Sequence, residues 1–201
     1  GVIQGAGDFE LRKTSALELL EMDFDIYNFG GIPMYYGESW KSEKEYRLFH
    51  EMLVFLAALI PNNKIKYAMG VGQPKDIAFC VDTGWDLFDT VLPTRNARHG
   101  LLYVSSPEGE EEIKYTGSGE LKNSIFTYGV QHLKSLRYKM DSKPVDSNCS
   151  CECCKTVSRA YLRNLLRLNE PAGFRLATIH NLTFYTSWMK LLRNSLLEVQ
   201  K

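Results

Sequence analysis

Long apolar runs, a surplus of charge of either sign and low-complexity tracts are all missing from this 201-residue chain. No apolar stretch approaches the ~20 residues needed to cross a bilayer as a helix, so no membrane-spanning helix is expected. Lys plus Arg number 24 and Asp plus Glu number 24. A chain so balanced has no global basic field for nucleic acid and no acidic solvating tail, so any polyanion site must be local. Histidine is scarce, at four residues. The length suits one sizeable core and is too short for two ordinary domains plus linkers. The chain begins at Gly1 rather than at a methionine, so a signal or a whole upstream domain could precede it.

What is present from Gly1 to about Gly100 is a rhythm of short β-prone runs ending in Gly or Pro, each followed by a longer amphipathic stretch. "GVIQG" precedes "DFELRKTSALELLEMD", where Leu11, Leu17, Leu19 and Leu20 fit a helical face only loosely. "FDIYNFGGIP" precedes "SEKEYRLFHEMLVFLAALIP", with Leu48, Met52, Phe55, Leu56 and Leu59 at helical spacing. "KIKYAMGVGQP" precedes "KDIAFCVDTG", and "WDLFDTVLPTRN" closes the series. Such alternation predicts an α/β fold with a parallel sheet and helical crossovers, four units being half of an eight-stranded barrel. The strand ends at Gly5, Gly30-Gly31, Gly70 and Pro93 mark the loops where such folds place their chemistry.

Beyond Tyr103 the rhythm changes. "SSPEGEEEIKYTGSGELKNS" carries four glutamates between Glu108 and Glu112 and reads as an exposed hairpin or loop with a solvated acidic face. "SRAYLRNLLRLNEPAG" reads as a helix stopped by Pro171 and Gly173. "TIHNLTFYTSWMKLLRNSLLEVQK" reads as a final helix with Leu182, Tyr185, Met189, Leu192 and Leu196 on one face.

Five cysteines are present, and four of them crowd into "NCSCECCK". They are too close for mutual disulfides of ordinary geometry, which points to a reducing compartment and a metal. Zinc takes four N or S ligands in a tetrahedron. Cys149, Cys151 and Cys154 form C-x-C-x2-C, which wraps a metal more easily than the C-x-C-x-C that Cys153 would give. Among His50, His99, His132 and His180, only His180 lies beyond the following helix, where an antiparallel return brings it back as the fourth ligand. Cys80, in "IAFCV", reads as a small core hydrophobe.

Asp89 sits in "WDLFDTVLPTRNARHG", where an apolar strand carries a carboxylate whose burial would cost several kcal/mol unless it faced a polar cavity. A role at a strand end and a salt bridge to Arg95 or Arg98 explain it equally well. Arg95 and Arg98 suit phosphate, which guanidinium groups grip bidentately, or are simply solvated. From Lys134 to Arg175 nine basic residues face four acidic ones, a net of +5, and Arg159, Arg163 and Arg167 recur every four residues. That stripe is either a polyanion-binding face or an ordinary wet one.

Together "YAMGVGQP", "DLFDTVLPTRNARHG", "CSCECC" with "SRAY", and "TIHNL" resemble the tRNA-guanine transglycosylase family, its queuosine branch in particular; "GVIQG" and "FGG" match less distinctively. The resemblance implies the C-terminal half of a (β/α)8 TIM barrel with a zinc-binding subdomain. Residues 1–103 would be half-barrel units, 104–181 the zinc subdomain with an inserted loop or hairpin, and 182–201 a C-terminal helix packing on the barrel. It further implies exchange of a tRNA guanine for a 7-deazaguanine base, with Asp89 as the nucleophile at the ribose anomeric carbon. Gln4, Gly30, Gly31, Met69 and Gly70 would shape the base pocket, and Arg95 and Arg98 would hold the anticodon loop. Cys149, Cys151, Cys154 and His180 would hold structural Zn2+. A cytoplasmic location and a homodimer or heterodimer are expected.

Two departures from the family pattern stand out. The family's chains begin well upstream of "GVIQG", so an N-terminal barrel half, with the general acid/base, is expected as a partner of this one. "GGIPMYYGES" carries Pro33, Met34, Tyr35 and Tyr36 where a shorter loop of small residues is usual, which leaves preQ1 and queuine both open as the base. A non-catalytic accessory subunit that binds tRNA through its zinc module is the alternative. A glycosidase acting on free sugars lacks a second carboxylate at a matching strand end and leaves the cysteines unexplained.

Overall fold

The runs of the predicted rhythm become strands and helices in the structure, a computed structural model that describes residues 1–31, 42–105 and 108–199. The last run, "WDLFDTVLPTRN", corrects an expectation: it holds a strand of two residues, Leu87–Phe88, and then the start of a helix at Leu92, so Pro93 lies in a first helical turn, where its missing N–H is not needed, rather than at a strand end. The loop residues Pro33, Met34, Tyr35 and Tyr36 lie outside the described residues. The described chain falls into two compact units, one of Gly1–Gly72 with Asp76–Thr90 and the other of Gln73–Lys75 with Val91 onward.

In the first unit β1 (Val2–Ile3), β2 (Ile26–Phe29), β3 (Ile65–Ala68) and β4 (Leu87–Phe88) form a parallel sheet in sequential order. Between them run α1 (Phe9–Glu21), α2 (Glu43–Leu59) and α3 (Pro74–Asp82). Successive strand residues point to opposite faces, so the register sorts them into rows. Ile3, Phe29, Ala68 and Phe88 form one row, and its first three members are buried. Val2, Asn28, Tyr67 and Leu87 form the other. That second row is poorly covered, with Val2 41% and Leu87 44% exposed. On the covered side α2 contributes Phe49, Met52, Leu53 and Leu56 to the core, and Cys80 of α3 is a buried core residue as its context suggested. Burial raises the Cys80 thiol well above its ordinary value.

Helix α1 corrects a sequence expectation. Leu11 and Leu17 are exposed, while Arg12 and Ala16 are the buried residues. The loose leucine pattern reflected a helix whose inward face carries a guanidinium.

In the second unit α4 (Leu92–His99) ends on Gly100, whose φ of +84° is a left-handed cap that glycine adopts without strain. Then β5 (Leu101–Ser105), β6 (Glu111–Thr116) and β7 (Ile125–His132) pair antiparallel in the order β5-β7-β6. A single 3-10 turn (Leu136–Tyr138) leads to α5 (Glu152–Thr156), α6 (Arg159–Arg167) and α7 (Pro171–Val199). Leu102, Val104, Leu133, Val145, Leu162, Leu166 and Ala177 share one core with Cys151 and Cys153.

Three expectations for this unit need correcting. Pro171 and Gly173 do not end a helix; they open α7, since proline is tolerated in a first turn where its missing N–H is not needed. Gly173 is buried, and a Cβ there would meet Leu165 Cβ at 2.7 Å, so its small size lets α6 and α7 approach. His180 consequently stands several turns into the last helix rather than at its start, and the buried stripe runs through Asn181, Tyr185, Trp188 and Leu192, with Leu182 exposed.

The acidic run is only partly solvated. β6 is a largely exposed strand, but Glu108 bridges to Arg159 and accepts from Ser147 Oγ. Glu110 accepts from Tyr138 Oη at 2.8 Å and His132 N at 3.0 Å. Arg159 and Arg163 are buried at 6% and 4% exposure, Arg159 held by Glu108 and Asp141, and Arg163 Nε by the Ser135 carbonyl at 2.7 Å. Only Arg167 of the stripe is exposed, so those arginines are no polyanion-binding face. Among the described residues no helix is long and apolar enough to cross a membrane.

Candidate active site and metal centre

The C-terminal ends of the four parallel strands gather the residues singled out in the first unit. Gln4 follows β1, Gly30 and Gly31 follow β2, Met69 and Gly70 follow β3, and Asp89 follows β4. The Gln4 amide lies over the two glycines, since a Cβ on Gly30 would meet Gln4 Nε2 at 2.6 Å and one on Gly31 would meet Oε1 at 2.9 Å. Gly31 takes φ +61° and Gly70 φ +75°, conformations that residues with a Cβ avoid. Met69 is 36% exposed beside them.

Asp89 is exposed and makes no salt bridge among the described residues of its unit. Its Oδ1 accepts from Tyr67 Oη and from the Gly70 N–H, each at 2.8 Å. Both bonds fall on one oxygen, which leaves Oδ2 without a hydrogen-bond donor among the described residues. A carboxylate held this way has a fixed plane and one lone-pair-bearing atom available for attack. The Tyr67 hydroxyl is raised above its ordinary value, first by its bond to Asp89 and then by burial, so it remains a donor.

Sequence reasoning missed two residues here. Tyr67 belongs to the uncovered strand row, and only the register shows that it reaches Asp89. Arg12 is completely buried beneath the strand ends: Nε donates to the Ala6 carbonyl at 2.9 Å, Nη1 to Ile3 at 2.9 Å and Gly30 at 2.8 Å, and Nη2 to Gly31 at 3.0 Å. The one available signal was an arginine at a helical position where the leucines failed to line up.

In the second unit Cys149, Cys151, Cys154 and His180 converge, their ligand atoms lying within 4.8 Å of one another. His180 Nδ1 is 3.3 Å from Cys154 Sγ and 3.7 Å from Cys151 Sγ. The other ring nitrogen, Nε2, lies 2.7 Å from the Tyr103 carbonyl and donates to it, which leaves Nδ1 as the nitrogen that faces the thiols. Cys151 caps α5, its sulfur accepting from Cys154 N at 3.4 Å, and this turn brings two of the thiols together. Cys153 faces the opposite way, fully buried in the core, and burial followed by the neighbouring thiolates pushes it up to about 12.

The cluster's electrostatics suit a cation. Cys149 is held down to about 3, mainly by its hydrogen bond with Cys154 and further by His180, against the opposing effect of burial. Cys154 moves the other way, raised by that same bond and then by burial. Burial alone would lower His180, but its bonds with Cys149 and Cys151 hold it up to about 9. Thiolates at this range repel one another, and a positive charge among them would relieve that repulsion. The Cys3His donor set, the half-buried pocket and the fixed tautomer all fit a tetrahedral divalent ion.

Arg95 and Arg98 lie on α4 of this unit. Arg98 is exposed, and Arg95 is half-buried with one Nη2 that has no hydrogen-bond partner among the described residues.

A family model described as queuine tRNA-ribosyltransferase matches residues 1–200. The chain belongs to the queuine tRNA-ribosyltransferase family. Proteins named queuine tRNA-ribosyltransferase from Hamiltonella defensa and Lawsonia intracellularis are 41% and 40% identical to it over 198 and 185 residues. One of that name from Pediococcus pentosaceus is 38% identical over 198 residues. These alignments cover 98%, 92% and 98% of this chain but only 45%, 42% and 44% of the relatives. The chain thus spans a little under half the length of these family members.

Proposed function

We propose that this chain carries the nucleophile and the zinc module of a tRNA-guanine transglycosylase, an enzyme that exchanges a tRNA guanine for a 7-deazaguanine base. The observation that carries the reading is Asp89 at a strand end, with Oδ1 held by Tyr67 and Gly70 and Oδ2 open. Asp89 Oδ2 attacks the ribose anomeric carbon, the bond to guanine breaks, and a ribosyl ester forms. The incoming base then displaces the carboxylate and restores it. Two displacements at one carbon retain its configuration, as in retaining glycosidases.

Gln4, Gly30, Gly31, Met69 and Gly70 would frame the base. Backbone N–H and C=O groups at glycines can approach a flat heterocycle edge closely because no side chain intervenes. Arg95 and Arg98 would take anticodon-loop phosphates. Zn2+ on Cys149, Cys151, Cys154 and His180 would be structural, because Cys3His fills all four positions of a tetrahedron. Reduced thiols in that number fit a cytoplasmic setting.

The reading includes a half-barrel. In its favour are the four parallel strands in sequential order and the uncovered row of Val2, Asn28, Tyr67 and Leu87. Asn28 Oδ1 on that row is buried without a hydrogen-bond partner among the described residues. Parallel sheets are ordinarily covered on both faces. The remaining barrel half, carrying the general acid/base, would supply that cover, with the 1–103, 104–181 and 182–201 segments as half-barrel, zinc subdomain and closing helix. The accessory-subunit alternative leaves the ordered Asp89 unexplained.

The test is guanine exchange into tRNA by the full-length protein, or by this chain with its other half, comparing wild type with Asp89→Ala. Wild type should exchange and form a covalent tRNA adduct, and the variant should do neither. Undiminished exchange in the variant would remove Asp89 from its role, and tRNA binding without any adduct in wild type would favour the accessory reading.

A further inference from the structure

The guanidinium of Arg12 occupies an unusual place. Helix α1 leaves Leu11 and Leu17 in solvent and turns Arg12 inward, where it is 0% exposed. No carboxylate among the described residues pairs with it; it donates instead to the carbonyls of Ile3, Ala6, Gly30 and Gly31. Beneath it the Phe29 ring lies 4.5 Å from Cζ, a cation–π contact in a dry setting. Around it the chain is strained. Ala6 takes φ +50° and Gly5 φ +140°, and a Cβ on Gly5 would meet Arg12 N at 2.7 Å. Burial lowers the Arg12 pKa, yet arginine stays charged where lysine would shed its proton. A helix built only for stability would have placed leucine here. The arrangement spends strain and a buried charge on aiming four carbonyls.

What that aiming achieves follows from the planarity of the peptide. In a trans peptide the C=O and the next N–H point in opposite directions. Because the Gly30 carbonyl points at Arg12, the Gly31 N–H must point away from it. That N–H has no hydrogen-bond partner among the described residues, and Gly31 is exposed. The Gly31 carbonyl is likewise taken by Arg12 and withdrawn from the exposed side. The Gly30–Gly31 peptide therefore turns its donor, and not its acceptor, to the exposed side.

We propose that Arg12 is a positioning residue of the base site: by holding the Gly30 and Gly31 carbonyls it fixes the Gly31 N–H outward as a donor to a carbonyl on the incoming heterocycle. The inference rests on the base-exchange reading above. Its chemical consequence is a preference for bases with a carbonyl acceptor on the edge that meets β2, over analogues carrying an amino group in its place.

The experiment uses the full-length protein with Arg12→Lys and Arg12→Gln, measuring KM for the base and for tRNA separately, with zinc content and Tm as controls. Loss of aim should raise the base KM by about tenfold and leave the tRNA KM within about twofold. It should also narrow the discrimination against the amino analogue. A residue serving the fold alone would lower Tm and the active fraction without moving the base KM of the molecules that remain folded. Should both variants fail to fold, Phe29→Leu decides, since it removes the ring under the guanidinium while keeping the charge; the base KM should then rise about threefold. An unchanged base KM and unchanged discrimination in a folded variant overturn the proposal while the base-exchange reading stands. Wild type that neither binds nor exchanges the base overturns both.

Discussion

Tyr67 Oη and Asp89 Oδ1 are 2.8 Å apart, joining the third and fourth strands of the parallel sheet through a hydroxyl and a carboxylate. The Gly70 N–H fixes the same oxygen, so Tyr67 orients Asp89 rather than supplying its charge. Tyr67→Phe should therefore lower the rate of adduct formation by about tenfold, with the base and tRNA KM values nearly unchanged. Single-turnover kinetics with labelled tRNA checks this; a rate equal to wild type would show that Gly70 alone suffices.

Metal analysis separates the four clustered cysteines. Cys154→Ser and His180→Ala should each lose zinc and lower Tm, whereas Cys153→Ala should keep a full complement of one zinc per chain. Because Cys153 is fully buried in the core, that last variant should still cost about 1 kcal/mol of stability through the cavity it leaves.

Arg159 makes stability depend on acid. Glu108 is held below its ordinary value of 4.5 by its bond from Ser147 and then by Arg159. Asp141 is also held low, burial opposing and the Lys143 N–H and Arg159 prevailing. A carboxyl whose folded value is depressed stabilises the fold above its unfolded value, and this contribution is lost as pH falls through the folded one. Arg159→Met should cost about 2–4 kcal/mol near neutral pH and flatten the decline in stability below about pH 4.5. Denaturant unfolding at a series of pH values measures both effects.

Gly173→Ala should destabilise the protein despite alanine's higher helix propensity. The new Cβ would meet Leu165 Cβ at 2.7 Å and its backbone carbon at 3.1 Å, forcing α6 and α7 apart. A loss of about 1–3 kcal/mol, read from Tm and denaturant midpoints, is expected.

Arg98→Ala should raise the KM for tRNA and reduce its salt dependence while leaving the base KM alone, because a phosphate contact adds affinity without reading a base. Arg163→Ala should act instead through stability, since its Nε serves the Ser135 carbonyl.

Much of this was legible in the sequence where periodicity or spacing carries a local rule. The strand and helix runs of the first hundred residues follow alternation and amphipathicity, and the C-x-C-x2-C spacing singles out the thiols that meet, because one helical turn sends Cys153 to the other side. The illegible parts are polar groups satisfied at a distance. Arg12, Arg159 and Arg163 look like surface residues in a pattern because nothing local announces the carbonyls and carboxylates that hold them. Pro171 and Gly173 look like stops, yet one suits a first turn and the other a helix crossing. Tyr67 needed the strand register before its reach to Asp89 could be seen.

The row of Val2, Asn28, Tyr67 and Leu87 also bears on how this polypeptide behaves in a tube. Apolar side chains on an unshielded sheet face attract any similar face, so copies of the chain expressed by itself should self-associate in a concentration-dependent way. An oligomeric state measured on such a sample would report the stickiness of that face rather than a native assembly.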